Sequence, residues 1–117
     1  MPSVYITNPI PEIGVNLLLK KGYKVEINKS SRDLTVEGLK KIVGDYDAVL
    51  SFLTNKIDAG VIDFASKHLK VIANFAVGFD NIDARAANAR GIAVCNTPGV
   101  ASESVADHTF AMILELN

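Results

Sequence analysis

The chain has 117 residues, enough for one domain with a single core and too few for separate substrate and nucleotide domains. Twelve Lys and Arg stand against 13 Asp and Glu, a formal charge of −1 with 49% hydrophobic residues, which excludes the basic patch that nucleic acid or an anionic membrane selects. Cys95 is the single cysteine, so no internal disulfide or cysteine metal site is available; no basic-then-apolar leader follows Met1-Pro2-Ser3, and no apolar run approaches the ~18–20 residues that span a bilayer. No nucleic-acid or membrane partner is expected, and a cytoplasmic location is.

Val4-Tyr5-Ile6-Thr7 reads as a first strand. Asn8-Pro9-Ile10-Pro11-Glu12 follows as a loop that puts proline in the first turn of a helix, with Ile13, Leu17 and Leu18 on one face. Gly22 closes that helix, and Tyr23 to Ile27 alternates as a second strand. Thr35 caps an amphipathic helix bearing Val36, Leu39, Ile42 and Val43, ended by Gly44. Asp47 to Phe52 is a third strand, apolar on both faces and therefore central.

Asp58 caps a helix holding Val61, Ile62, Phe64 and Ala65, and Lys70 to Phe75 is a fourth buried strand. The loop Ala76-Val77-Gly78-Phe79-Asp80-Asn81 leads into a helix through Ile82, Ala86, Ala87 and Ala89, which Gly91 ends; Ile92 to Cys95 is the fifth strand. Asn96-Thr97-Pro98-Gly99 then turns the chain into a terminal helix over residues 101–117, with Ser104-x-x-Asp107 as its capping-box-like start.

Five strand–helix units at about 23 residues each suit short connections and leave no room for a long lid. Strands joined by crossover helices pair in parallel, and right-handed crossovers put helices on both faces. The expected fold is α/β: a doubly wound, five-stranded parallel sheet in the flavodoxin-like order 2-1-3-4-5.

Ligands in such folds sit beyond the carboxyl ends of the strands, at the loops starting at Asn8, Leu53, Ala76 and Asn96. None of these loops carries a recognisable catalytic side chain. At Ala76-Val77-Gly78-Phe79, glycine either permits a tight strand-to-helix turn or leaves backbone amides at a helix start for a carboxylate or phosphate. The eight glycines form no G-x-G-x-x-G and no P-loop. Ser51 and Thr7-Asn8 lack the acids of a phosphoacceptor receiver, and Asn8-Pro9-Ile10-Pro11 lacks the hydroxyls of a flavin-phosphate loop. His68 and His108 have no ligand partner at useful spacing, so no metal is expected, and Cys95 reads as a small buried hydrophobe. Asp80, Asn81 and Asp83 suit helix capping.

The runs Lys70 to Asp83, Gly91 to Val100 and Val105-Ala106-Asp107-His108, with Leu53-Thr54 and Ile57-Asp58 upstream, resemble the D-isomer-specific 2-hydroxyacid dehydrogenases, and within them the glyoxylate/hydroxypyruvate reductase branch. The resemblance implies a flavodoxin-like substrate domain over residues 1–117. Helix 101–117 would lead into an inserted Rossmann domain beyond it. It further implies hydride transfer between NAD or NADP and a small 2-oxoacid or 2-hydroxyacid. The family's Arg, Glu and His would all follow Asn96-Thr97-Pro98, so the isolated chain is expected to hold no catalytic residue, bind no cofactor and be inactive.

By the same resemblance, Val77 and Gly78 match the loop whose amides hold the substrate carboxylate, with Ala76 standing where many relatives have glycine. Val77 and Val105 would approach the nicotinamide, and Leu53 would line the substrate pocket. For Leu53 and Val105, plain core packing is an equal reading. Val105, Ala106, Thr109, Phe110, Met112, Ile113, Leu114 and Leu116 make the terminal helix apolar around most of its circumference, so a homodimer is expected, face to face or by exchange of this helix through the Asn96–Gly99 hinge. The competing function is a stand-alone ligand-binding or regulatory module of the same fold.

Overall fold

The computed structural model describes residues 2–30, 32–78 and 80–96. Strands β1 (Ser3–Ile6), β2 (Lys24–Ile27), β3 (Ala48–Ser51), β4 (Val71–Asn74) and β5 (Ala93–Cys95) alternate with helices α1 (Glu12–Lys20), α2 (Val36–Asp45), α3 (Ala59–Ile62) and α4 (Ala84–Ala89). All pairings are parallel and the order is β2-β1-β3-β4-β5, the expected doubly wound topology.

Side-chain alternation along β3 and β4 divides the core. Val49 and Ile72 point to one face, where they meet Leu39, Ile42 and Val43 of α2, Val61 and Ile62 of α3, and Ile82, Ala87 and Ile92 around α4. Ala48, Leu50, Val71 and Ala73 point to the other, beside Val4, Ile6, Leu18 of α1, Tyr23 and Cys95. Every residue of β3 and β4 is buried, as their unbroken apolar runs require, whereas edge strand β2 has no buried residue.

Two helix ends show why glycine is needed. Gly22 (φ 88°) and Gly91 (φ 77°) are the positive-φ residues among those described. At α1, Gly22 N–H donates to the Leu19 carbonyl and Tyr23 N–H to that of Leu18; at α4, Gly91 donates to Asn88 and Ile92 to Ala87. Each is a Schellman turn that returns the last helical carbonyls to the backbone and drops Tyr23 or Ile92 into the core. The caps Thr35, Asp58 and Asp83 accept from the N–H groups of Gly38, Val61 and Ala86.

Four local expectations are corrected. Pro11 precedes α1 in extended conformation instead of occupying its first turn. The buried stripe of α1 is Gly14 and Leu18, i and i+4, so Ile13 and Leu17, one position back, lie exposed. Gly44 sits inside α2, which stops where Tyr46 turns extended to pack edge-on against Tyr5, ring centroids 5.2 Å apart. Phe64 lies beyond the short α3 and is exposed, its ring covered by the Lys40 ammonium at 4.7 Å.

Candidate functional site

The carboxyl ends of the strands carry polar residues that are buried, which an apolar strand tolerates only where they are hydrogen-bonded. Thr7, Asn28, Ser51, Asn55 and Asn74 are the buried polar residues among those described, and all five lie at or just beyond a strand's carboxyl end. Ser51 and Asn74 are register partners at the ends of β3 and β4, and Ser51 Oγ donates to Asn74 Oδ1 at 2.9 Å. Asn28 Nδ2 donates to the Thr7 carbonyl at 3.1 Å, tying β2 to β1 at the same edge.

Asn74 and Asn81 form a reciprocal amide pair: Asn74 Nδ2 donates to Asn81 Oδ1 at 2.9 Å, and Asn81 Nδ2 to Asn74 Oδ1 at 3.2 Å. Asn81 Nδ2 also reaches the carbonyls of Phe52 and Asn55, at 3.0 and 2.9 Å. The β3–α3 loop is thereby fixed to the β4–α4 loop, and a parallel bridge between Ile57 and Ile82 continues the join. Asn55 Oδ1 accepts from Phe52 N–H at 2.9 Å and Thr7 Oγ1 at 2.5 Å, which sets its amide and leaves buried Nδ2 without a partner among the described residues. Asp33 adds an outer tie, accepting from Asn8 Nδ2 and Thr54 Oγ1 through one oxygen.

Over this frame sits the loop after β4. Phe75 N–H continues the sheet to the Ser51 carbonyl, and the Phe75 ring stacks on Phe52 with centroids 5.3 Å apart. The next residues hang from two asparagines: Asn96 Nδ2 donates to the Val77 carbonyl at 2.6 Å, and Asn74 Nδ2 to the Gly78 carbonyl at 2.9 Å. Their carbonyls are held, yet no acceptor among the described residues takes the Val77 or Gly78 N–H. Gly78 has no positive φ, and a Cβ built on it would meet no described residue within 4 Å. Backbone geometry therefore does not demand glycine there; the space beside it is open.

Of the residues singled out from the sequence, Leu53 and Val77 are exposed, at 60% and 65%, while Ala76 and Gly78 are half-buried. Leu53 thus lies outside the described core. Val105 and helix 101–117 lie outside the described residues, as does His108. Asn81 is not a cap: Asp83 caps α4 and Asn81 cross-links two loops. The asparagine frame was missed in the sequence, although Val-Leu-Ser and Ile-Ala-Asn, apolar runs ending in a polar residue at the ligand edge, are its signature.

Titration is perturbed elsewhere. Tyr46, just before β3 and so at the opposite end of the sheet, has its hydroxyl pushed up to about 12 by desolvation and by its 3.1 Å hydrogen bond to Glu26; Tyr5 is raised by burial and the same carboxylate. No group of three or more His, Cys, Asp or Glu able to hold a metal occurs among the described residues, and no helix among them is long and apolar enough to cross a membrane.

Residues 4–112 match the family model of the D-isomer specific 2-hydroxyacid dehydrogenase catalytic domain. A glyoxylate reductase of Pyrococcus furiosus is 43% identical over 97% of this chain and 33% of its own length. A Thermus thermophilus protein of known structure superposes with a TM-score of 0.77 at 38% identity, over 96% of this chain and 35% of that one. The NAD+-bound 3-phosphoglycerate dehydrogenase of Entamoeba histolytica gives 0.67 at 29% identity, over 83% of this chain and 33% of that one. The chain thus spans about a third of the length of the curated relatives it matches.

Proposed function

This chain belongs to the D-isomer specific 2-hydroxyacid dehydrogenases, and from that premise we propose that its Ala76-Val77-Gly78 loop binds the carboxylate of a small 2-oxoacid or 2-hydroxyacid for hydride transfer by the whole protein. The observation that carries this reading is the pair of N–H groups at Val77 and Gly78, unclaimed among the described residues and beside open space at the carboxyl edge of β4. Two successive amides without a described acceptor suit a carboxylate, whose oxygens accept charge-assisted hydrogen bonds. Exposed Leu53, on the loop that Asn81 ties to this one, supplies an apolar wall for the rest of a small substrate.

The described residues do not fit the phosphates of a dinucleotide. Such a cradle needs a glycine-rich βα turn, and the sequence contains no G-x-G-x-x-G; the β1–α1 turn holds Pro9 and Pro11, which have no N–H. What these residues contribute is orientation: a carboxylate held at two amides fixes the adjacent carbon, and orientation of that kind lowers the barrier of the step that follows. NAD or NADP, Val77 and Val105 near the nicotinamide, a homodimer built with helix 101–117, and a cytoplasmic setting belong to the same proposal.

Oxamate, a non-reducible 2-oxoacid analogue, tests it by nuclear magnetic resonance on the 15N-labelled chain. Val77 and Gly78 amide signals are expected to move and to saturate with a Kd of about a millimolar or weaker, the strength of a carboxylate held by amides alone. Unmoved amides at saturating oxamate overturn the reading. With glyoxylate and NADH or NADPH, the 117 residues alone are expected to show no cofactor oxidation.

A further inference from the structure

The carbonyls of the loop, more than its amides, reveal how the site is set. The Val77–Gly78 peptide is trans, so the Val77 carbonyl and the Gly78 N–H point in opposite directions from one rigid plane. Asn96, the first residue after β5, holds that carbonyl through Nδ2 at 2.6 Å. We propose that Asn96 is a positioning residue for the carboxylate site: by anchoring the Val77 carbonyl it aims the Gly78 N–H at the ligand. The inference rests on the carboxylate reading above and adds the device that sets the amide's direction.

Three observations converge on it. The contact joins residues 19 apart in sequence, from the ends of neighbouring strands β4 and β5, so the sheet itself brings them together. Asn74 holds the next carbonyl, that of Gly78, so two successive peptide planes are each fixed by an asparagine at a strand end. Gly78 has no positive φ and no described residue within 4 Å of a built Cβ, so among the described residues Asn96 is the side chain that holds this peptide's own carbonyl. Without the Asn96 donor, the plane keeps only the Asn74 grip on the next carbonyl and rotates more freely about its flanking bonds. The amide then has to be ordered at the moment of binding, which weakens affinity and leaves the fold intact.

The test uses the 15N-labelled chain, its Asn96→Ala variant and the near-isosteric Asn96→Asp variant, which keeps size but loses the donor. Backbone order parameters and oxamate Kd are measured together, with thermal melting as the check on folding. Expected in both variants is a lower order parameter at Gly78 with Val71 and Ile82 unchanged, and melting within a few degrees of wild type. The oxamate Kd should rise about two- to tenfold in Asn96→Ala, the size of one neutral hydrogen bond. An unchanged order parameter together with an unchanged Kd overturns the inference while the carboxylate reading stands. If wild type ignores oxamate, the carboxylate reading fails separately, and a Gly78 order parameter unmoved by both substitutions then overturns the anchoring as well.

Discussion

Glycine sits in turns at both ends of this sheet, for opposite reasons. At the amino end, Gly22 and Gly91 adopt φ of 88° and 77°, and their turns return helix carbonyls to the backbone before β2 and β5 begin. At the carboxyl end, Gly78 has ordinary backbone geometry, open space beside it and an N–H that no described residue accepts. The first kind of turn satisfies its own hydrogen bonds and serves the fold; the second leaves N–H groups that no described residue accepts, and on the proposed reading serves a ligand. Substitutions can separate the two.

The largest effect is expected where the open loop is bolted to the sheet. Asn74→Leu keeps the branched heavy-atom skeleton but removes the amide that accepts from Ser51 Oγ, pairs with Asn81 and holds the Gly78 carbonyl, all at a fully buried position. Each buried group left without a partner costs about 1–3 kcal/mol, so a loss of about 2–4 kcal/mol in urea or thermal unfolding is expected, together with loss of oxamate binding. A variant that melts like wild type yet no longer binds would show that the asparagine frame serves the ligand alone.

The glycines themselves come next. Gly91→Ala forces a side chain into the left-handed region and is expected to destabilise by about 1–2 kcal/mol without altering the oxamate Kd of the folded protein. Gly78→Ala needs no unusual φ and meets no atom, so its stability is expected to hold or to rise by about 0.4–1 kcal/mol, since alanine restricts the unfolded chain. Its oxamate affinity should nonetheless fall, because on the proposed reading the new methyl crowds the face served by the N–H groups that no described residue accepts. Equal stability losses at the two glycines would erase the distinction between the turns.

The amino-end turns were legible in the sequence because local rules make them: a glycine after a helix and an apolar residue next are enough to specify a Schellman turn. Strand order and the central placement of β3 and β4 followed from the same kind of pattern, unbroken apolar runs between helical segments. The face of α1 did not, since Ile13–Leu17 and Gly14–Leu18 are both i,i+4 pairs and only the docked sheet selects the second. The asparagine frame left only a partial trace, the polar residues that end β3 and β4, for a different reason. Asn55, Asn74, Asn81 and Asn96 are scattered along the chain, and each alone resembles a turn residue. What unites them is parallel pairing, which places the carboxyl ends of β3, β4 and β5 side by side. The loop at Val77–Gly78 drew notice through Gly78 between a buried strand and a helix start, with two readings left open until the family motif favoured one, because an available N–H leaves no mark on residue identity.

The smallest effect divides the two ends by pH. Tyr46 packs on Tyr5 and donates to Glu26 at the amino end, and its hydroxyl is pushed from 10.0 to about 12 in the folded state. A raised pKa means that the folded state favours the neutral phenol. Its contribution is therefore complete below pH 10 and is lost as pH climbs toward 12. Stability measured in urea should fall over that window, and Tyr46→Phe, which cannot ionise, should flatten the fall while losing the Glu26 hydrogen bond at neutral pH. Among the described residues, the side chains that hold the Val77 and Gly78 carbonyls and join the two loops are neutral: Asn74, Asn81, Asn96 and Ser51. Oxamate Kd should consequently stay level at neutral and mildly alkaline pH, well below the Tyr46 window. A binding curve that bends there would place an ionising side chain within reach of the loop and undo the separation of a titrating, structural end from a neutral, ligand-facing one.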